Sequence, residues 1–148
     1  MGLLSFLREL VDGGGTAEDK MVRAELEQVR ALAERGGESM TDGAQEGAGT
    51  PLGLKLRRRY RFVGMVQGVG FRFTITNLAN AAGATGWVRN EHDGSVTAEI
   101  QGIVEQIDAV IAGLDRYYNK RSFMGGFTVD NVRDLPLATE EMEFSPRY

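Results

Sequence analysis

Hydrophobic and polar positions along this chain change period several times, and each change marks an element. Leu3, Leu4, Phe6, Leu7, Leu10 and Val11 recur at helical spacing until Gly13, Gly14 and Gly15 interrupt them, which predicts a short amphipathic helix. Thr16 then stands as an N-cap with Asp19 three residues on, and Val22, Leu26, Val29 and Leu32 or Ala33 share one stripe. A second helix is expected there, ending at Gly36 and Gly37. From Glu38 to Gly53 small and polar residues take over, which is linker composition. The two helices read either as an element that contacts a protein partner or self-associates, or as a helical or disordered extension that folds only on contact. The second reading is favoured, because isolated helices this short are marginal in water.

Lys55, Arg57, Arg58, Arg59 and Arg61 then place five positive charges in seven positions. They could steer an anion or touch phosphate, but a solvated lead-in to a strand is the preferred reading. Residues 60–66 alternate, with Tyr60, Phe62, Gly64 and Val66 on one side and Arg61, Val63 and Met65 on the other, which predicts the first strand. Gln67-Gly68-Val69-Gly70 breaks the alternation, and Phe71, Ile75, Leu78, Ala79 and Ala82 line one side of a helix that Gly83 stops. Thr85 to Asn90 reads as a second strand, His92-Asp93-Gly94 as a turn, and Ser95 to Gln101 as a third strand. A second helical stripe runs from Val104 through Ile107, Val110 or Ile111 and Leu114 to Tyr117 or Tyr118. Phe127 to Val132 and Glu143 to Tyr148 are the remaining strand candidates.

The order strand, helix, strand, strand, helix, strand folds as one antiparallel sheet with both helices on one face. Strands one and two then point the same way, and their C-terminal ends share one edge. The division expected is an N-terminal helical extension over 1–37, a flexible linker over 38–55 and a domain over 56–148.

Composition narrows the chemistry. At 148 residues the chain suits one ordinary domain with a tail, and 42% hydrophobic against 26% charged residues supplies a packed core. A net charge of -4 gives no general attraction for DNA or RNA, so no nucleic-acid partner is expected. Zero cysteines excludes disulfides, thiolate chemistry and Cys-type metal sites, and the single histidine, His92, excludes a His-rich one. No metal and no cofactor are expected. No apolar run approaches the 18 or so residues of a membrane span, and the amino terminus lacks a basic stretch followed by an apolar one. The expectation is a cytoplasmic protein with no membrane contact.

In Gly64-Met65-Val66-Gln67-Gly68-Val69-Gly70-Phe71-Arg72, three glycines surround a turn that opens directly into a helix. Such a turn aims several backbone N–H groups at one point, and the helix terminus adds partial positive charge there. Arg72 in the first helical turn can fork onto two phosphate oxygens. An ordinary tight turn with an exposed arginine remains the alternative on pattern alone. The run is neither a Walker loop nor a dinucleotide-binding fingerprint. Gly86-Trp87-Val88-Arg89-Asn90 ends the second strand on the same edge, and by itself reads as a hairpin arm with Asn90 at its end.

These residues resemble a known family. Gly64 to Arg72 resembles the first signature of the acylphosphatases, and Gly86 to Asn90, followed by Gly94, Val96 and Gly102, resembles the second. Phe144-Ser145-Pro146-Arg147-Tyr148 resembles the family's aromatic C-terminal end. The resemblance covers about residues 56–148 and implies a ferredoxin-like βαββαβ sandwich of the α+β class. It implies that Arg72 is the phosphate-binding catalytic arginine, that Asn90 orients water, and that Gln67, Gly68, Val69, Gly70 and Phe71 form the loop whose amides hold phosphate. The activity implied is metal-free hydrolysis of a small acyl phosphate.

The chemistry is consistent with so few groups. The leaving group is a carboxylate with a conjugate-acid pKa of about 4, so no general acid is needed to expel it. Catalysis then rests on positioning and positive potential. Glu91, His92 and Asp93, beside Asn90, read as a solvated turn rather than acid–base or metal residues. The main rival reading is a non-catalytic module that binds phosphate or another anion. A part of a larger carbamoyl-transfer protein, and RNA binding on the sheet face, rank lower, the last because Ser95 to Gln101 lacks paired aromatics.

Overall fold

A computed structural model describes residues 17–42, 53–120 and 126–148. The helix expected over Leu3 to Val11, the Thr16 cap and most of the expected linker lie outside these residues. The elements are α1 (Ala17–Asp42), β1 (Lys55–Gly64), α2 (Phe71–Ala82), β2 (Thr85–Asn90), β3 (Val96–Ile103), α3 (Val104–Leu114), β4 (Phe127–Leu135) and β5 (Phe144–Arg147). A π-helical turn, Asp115–Lys120, extends α3.

The strands form one sheet in the order β4-β1-β3-β2-β5. β1 pairs antiparallel with β3 and β4, and β2 antiparallel with β3. This is the ferredoxin-like α+β arrangement. The final strand departs from the all-antiparallel expectation, because β5 pairs parallel with β2. The reason is topological: β4 runs opposite to β1, so the chain that reverses after β4 and crosses to the far edge runs in the direction of β2.

Alternation builds the core. Val96, Ala98 and Ile100 of β3 are fully buried toward the helices, where they meet Ile75 and Leu78 of α2 and Ile107, Val110 and Leu114 of α3. Phe62, Phe71, Tyr118 and Phe127 pack as one aromatic group, with Phe62 and Phe71 centroids 5.0 Å apart and Phe71 and Tyr118 centroids 5.3 Å apart. Packed rings of this kind add about 0.5–1.5 kcal/mol per pair beyond the area they bury.

β1 begins earlier than the residues alone suggest. Its arginines are strand residues, not a solvated lead-in, and Arg57 is only 5% exposed. It donates through Nε to Glu99 (2.9 Å), through Nη1 to Gln101 (3.2 Å) and Glu141 (2.8 Å), and through Nη2 to Glu141 (3.1 Å). Consecutive arginines mask a period of two when both faces carry the same charge.

α1 forms a third layer on α2 and α3. It buries Leu26, Val29 and Ala33 of the expected stripe. Gly113 on α3 permits the approach, since a Cβ there would stand 2.6 Å from Val29 Cγ2. Glu25, also buried, accepts from Arg116 Nε with both carboxylate oxygens at 3.1 Å. The contact that lets this helix form is therefore supplied by its own chain. The helix continues through Gly36 and Gly37 to Asp42 rather than stopping at them. Each glycine costs about 1 kcal/mol in a helix interior, but one ends a helix only by turning left-handed. No helix among the described residues is long and apolar enough to cross a membrane.

Candidate anion cleft at the ends of β1 and β2

The loop after β1 is shaped by glycine where the backbone demands it. Gly68 and Gly70 have φ of 77° and 73°, a left-handed conformation that side-chain-bearing residues rarely adopt. Gly70 is the residue before α2 and contributes no side-chain cap. Among the described residues, no protein acceptor takes the N–H groups of Gly68, Val69 and Gly70. Uncapped donors at a helix N-terminus, with the helix dipole behind them, favour an anion.

Three braces hold the loop. Gln67 Nε2 donates to the carbonyls of Glu91 (2.8 Å) and Ser95 (2.9 Å), so its side chain ties the loop to the β2–β3 turn. The Tyr118 hydroxyl donates to the Val69 carbonyl at 3.1 Å and lies 3.0 Å from Thr74 Oγ1. Burial pushes the Tyr118 pKa up to about 12, against the opposing hydrogen bond with Thr74, so this hydroxyl keeps its proton through the neutral range. Phe71 is 1% exposed and anchors the first turn of α2 in the aromatic group. Phe71 and Val69 thus serve the loop through the backbone, with their side chains turned to the core.

β2 delivers Asn90 to the same place. Its last residue pairs with Val96 of β3, and a cleft of about 340 Å³ is lined by Arg72 and Asn90 together, along with Gly68, Gly70 and Phe71. Arg72 is the only charged side chain in that lining; Thr76, Asn77 and Tyr148 add polar groups, and Phe73 and Pro146 apolar ones. Arg72 Nη1 donates to the Arg147 carbonyl at 3.3 Å, and its guanidinium carbon sits 4.5 Å from the centre of the Tyr148 ring. Parallel pairing of β5 with β2 brings that end of the chain here.

His92 is exposed and does not line the cleft. Glu91 is engaged by Arg89 at 3.0 Å, while Asp93 accepts from the Ser95 hydroxyl (2.5 Å) and N–H (2.9 Å) and from Arg61 (2.6 Å). The Ser95 contacts, assisted by Arg61, hold the Asp93 carboxyl well below the usual carboxylate range. Among the described residues no three His, Cys, Asp or Glu side chains are grouped to hold a metal. The braces from Gln67 and Tyr118 were not legible in the sequence. Their partners lie 24 to 49 positions away, and only the helical stripe hinted that Tyr118 faces inward.

Comparison with known proteins gives the family. The acylphosphatase family model matches residues 58–134. An acylphosphatase of Ralstonia nicotianae is 42% identical over 69 residues, 47% of this chain and 68% of that protein. One from Oceanobacillus iheyensis is 36% identical over 85 residues, 57% of this chain and 90% of its relative. The crystal structure of acylphosphatase from Bacillus subtilis superposes with a TM-score of 0.52 at 27% identity, covering 63% of this chain and 99% of that one. With its family model matched across both glycine signatures and the sheet that joins them, the chain belongs to the acylphosphatase family.

Proposed function

We propose that the chain hydrolyses the carboxyl–phosphate bond of a small acyl phosphate by direct attack of water, with Arg72 and Asn90 as its catalytic residues. The observation that carries this is their meeting on one cleft with Gly68 and Gly70, whose N–H groups have no protein acceptor among the described residues. The loop amides and the Arg72 guanidinium take the phosphate oxygens, where charge spreads in a loose transition state. The Asn90 side-chain oxygen accepts a hydrogen bond from the attacking water and aims its lone pair at phosphorus. As the water oxygen bonds to phosphorus, the bond to the acyl oxygen breaks and its electron pair leaves on the carboxylate. The water's proton passes to a phosphate oxygen, since an amide cannot act as a base.

Arg72 is engaged through Nη1 by Arg147 and through its face by Tyr148, while Nε and Nη2 have no protein acceptor among the described residues. A hydrogen bond from a guanidinium to a neutral carbonyl nets about 1.5–3 kcal/mol, and an exposed cation–π contact about 0.5–1 kcal/mol. A phosphate answers with ionised acceptor oxygens that can take the fork bidentately.

The test is hydrolysis of a small acyl phosphate in chelator-treated buffer by the parent and by Asn90→Ala. The expected loss in kcat is about 100-fold or more, on the scale of removing one positioned transition-state group, with competitive inhibition by inorganic phosphate retained. A parent that binds phosphate but does not turn over would instead make the cleft a binding module.

A further inference from the structure

The sheet face turned away from the helices carries a second concentration of positive charge, separate from the cleft. Cross-strand register places Arg57, Arg59 and Arg61 of β1 opposite Gln101, Glu99 and Thr97 of β3, and Thr97 opposite Arg89 of β2. On the other side Arg59 faces Arg133 of β4 and Arg61 faces Asn131. At the centre is a cup of about 240 Å³ lined by Arg59, Arg61, Arg89, Arg133, Thr97 and Asn131. Four guanidiniums, a hydroxyl and an amide converge there, and no carboxylate is in the lining.

The carboxylates that pair with these arginines sit around the cup. Glu99 is 7% exposed and already saturated, with one oxygen taking Arg57 and the other Arg59. Arg59 and Arg89 both spend Nε and Nη2 on a carboxylate, leaving Nη1 without a protein acceptor among the described residues. Arg61 is held by Asp93 and Asp130. Arg59, Arg61 and Arg89 are thus each engaged by an acid and also line the cup. Arg133 has no ion pair among the described residues, yet stands directly opposite Arg59. Like charges directly opposite across strands destabilise a sheet, and a bound anion between them would remove that cost.

We propose that this cup is a second anion site, one that takes two or more linked phosphates. Donors from β1, β2, β3 and β4 surround it, and a short phosphate chain offers them more charge and more acceptor oxygens than one tetrahedral phosphate does. A single-stranded nucleic acid fits less well, because it needs exposed aromatic rings on which to stack bases. Trp87, on the neighbouring open-face position, is 6% exposed and covered by the guanidiniums of Arg147 and Arg89, 4.5 and 5.2 Å from its ring centre.

The probe is inorganic tripolyphosphate, titrated into the full chain at low salt with chelator and followed through the arginine Nε–H and Trp87 indole NMR signals. Arg59, Arg89, Arg133 and Trp87 signals shift in the parent and equally in Arg72→Ala, which separates this site from the cleft. Arg133→Gln combined with Arg89→Gln weakens binding about tenfold or more, the loss expected from two charge-assisted contacts, while hydrolysis stays at the parental rate. A thermal melt of the double variant establishes that it is folded. ATP binding as tightly as tripolyphosphate assigns the site to nucleotide tails; ATP much weaker assigns it to inorganic chains. Shifts confined to Gly68–Arg72, or no shift at these arginines at millimolar tripolyphosphate, overturn the proposal. So does poly-U RNA binding more tightly per phosphate than tripolyphosphate.

Discussion

Two regions of this molecule favour an anion, and they are made from opposite materials. The cleft uses main-chain N–H groups set by Gly68 and Gly70, one helix terminus and a single charged side chain, Arg72. The open face uses four guanidiniums drawn from three strands. Backbone donors lose no side-chain freedom on binding and present one fixed spacing, which suits a transition state. Arginine side chains must be immobilised by partners, here Glu99, Asp93, Asp130 and Glu91, and surround a larger ligand. Asp93 touches both regions: it orders the turn that Gln67 grips and holds Arg61 at the cup.

Breaking the cleft alone takes one substitution. Arg72→Lys is expected to lower kcat/KM by about 100-fold or more, because an ammonium does not replace the bidentate fork. Tripolyphosphate binding at the open face should not change. Wild-type turnover in that variant would mean that the backbone cradle suffices without the guanidinium.

Loosening the cradle while keeping its charge gives a smaller effect. Gln67→Ala removes the two hydrogen bonds to Glu91 and Ser95, each worth about 1 kcal/mol. A fall in kcat/KM of about tenfold is expected from the misplaced loop, and kinetics at several acyl phosphate concentrations would read it. An unchanged rate would show that Tyr118 and the aromatic group hold the loop alone.

The link between the regions has a pH signature. The carboxyl of Asp93 is depressed in the folded state, chiefly by Ser95, so its stabilising contribution is complete above the unfolded pKa of about 3.9. It is lost as pH falls below that value toward the folded pKa. Thermal melts from neutral to acid pH should therefore show a shallower decline below about pH 4 for Asp93→Asn than for the parent. Parallel curves would sever the proposed link. The smallest effect is reserved for His92→Ala, which should keep activity within about twofold, since surface substitutions away from such contacts are nearly neutral. A loss of two orders of magnitude there would move the chemistry into the turn.

Much of the cleft could be read before any coordinates. Glycine at 68 and 70 beside the start of a helical stripe announces a tight turn into a helix, and Asn90 ends a strand before a turn at His92-Asp93-Gly94, so both signals are local. The register of β1 was hidden because arginine occupies 57, 58, 59 and 61, on both faces, with carboxylates arriving from β3, β4 and residue 141. The stop expected at Gly36 and Gly37 is not where the helix ends, because α1 runs on to Asp42.

What the chain determined by itself is most of the elements and the glycine-rich turn between β1 and α2, because hydrophobic period and glycine placement act over a few residues. Tertiary structure decided the rest: that Arg72 and Asn90 share a cleft, that Gln67 and Tyr118 brace it, and that arginines from three strands surround one cup. These depend on strand order and register, which are set when the sheet assembles around its core and are carried by no single stretch of sequence.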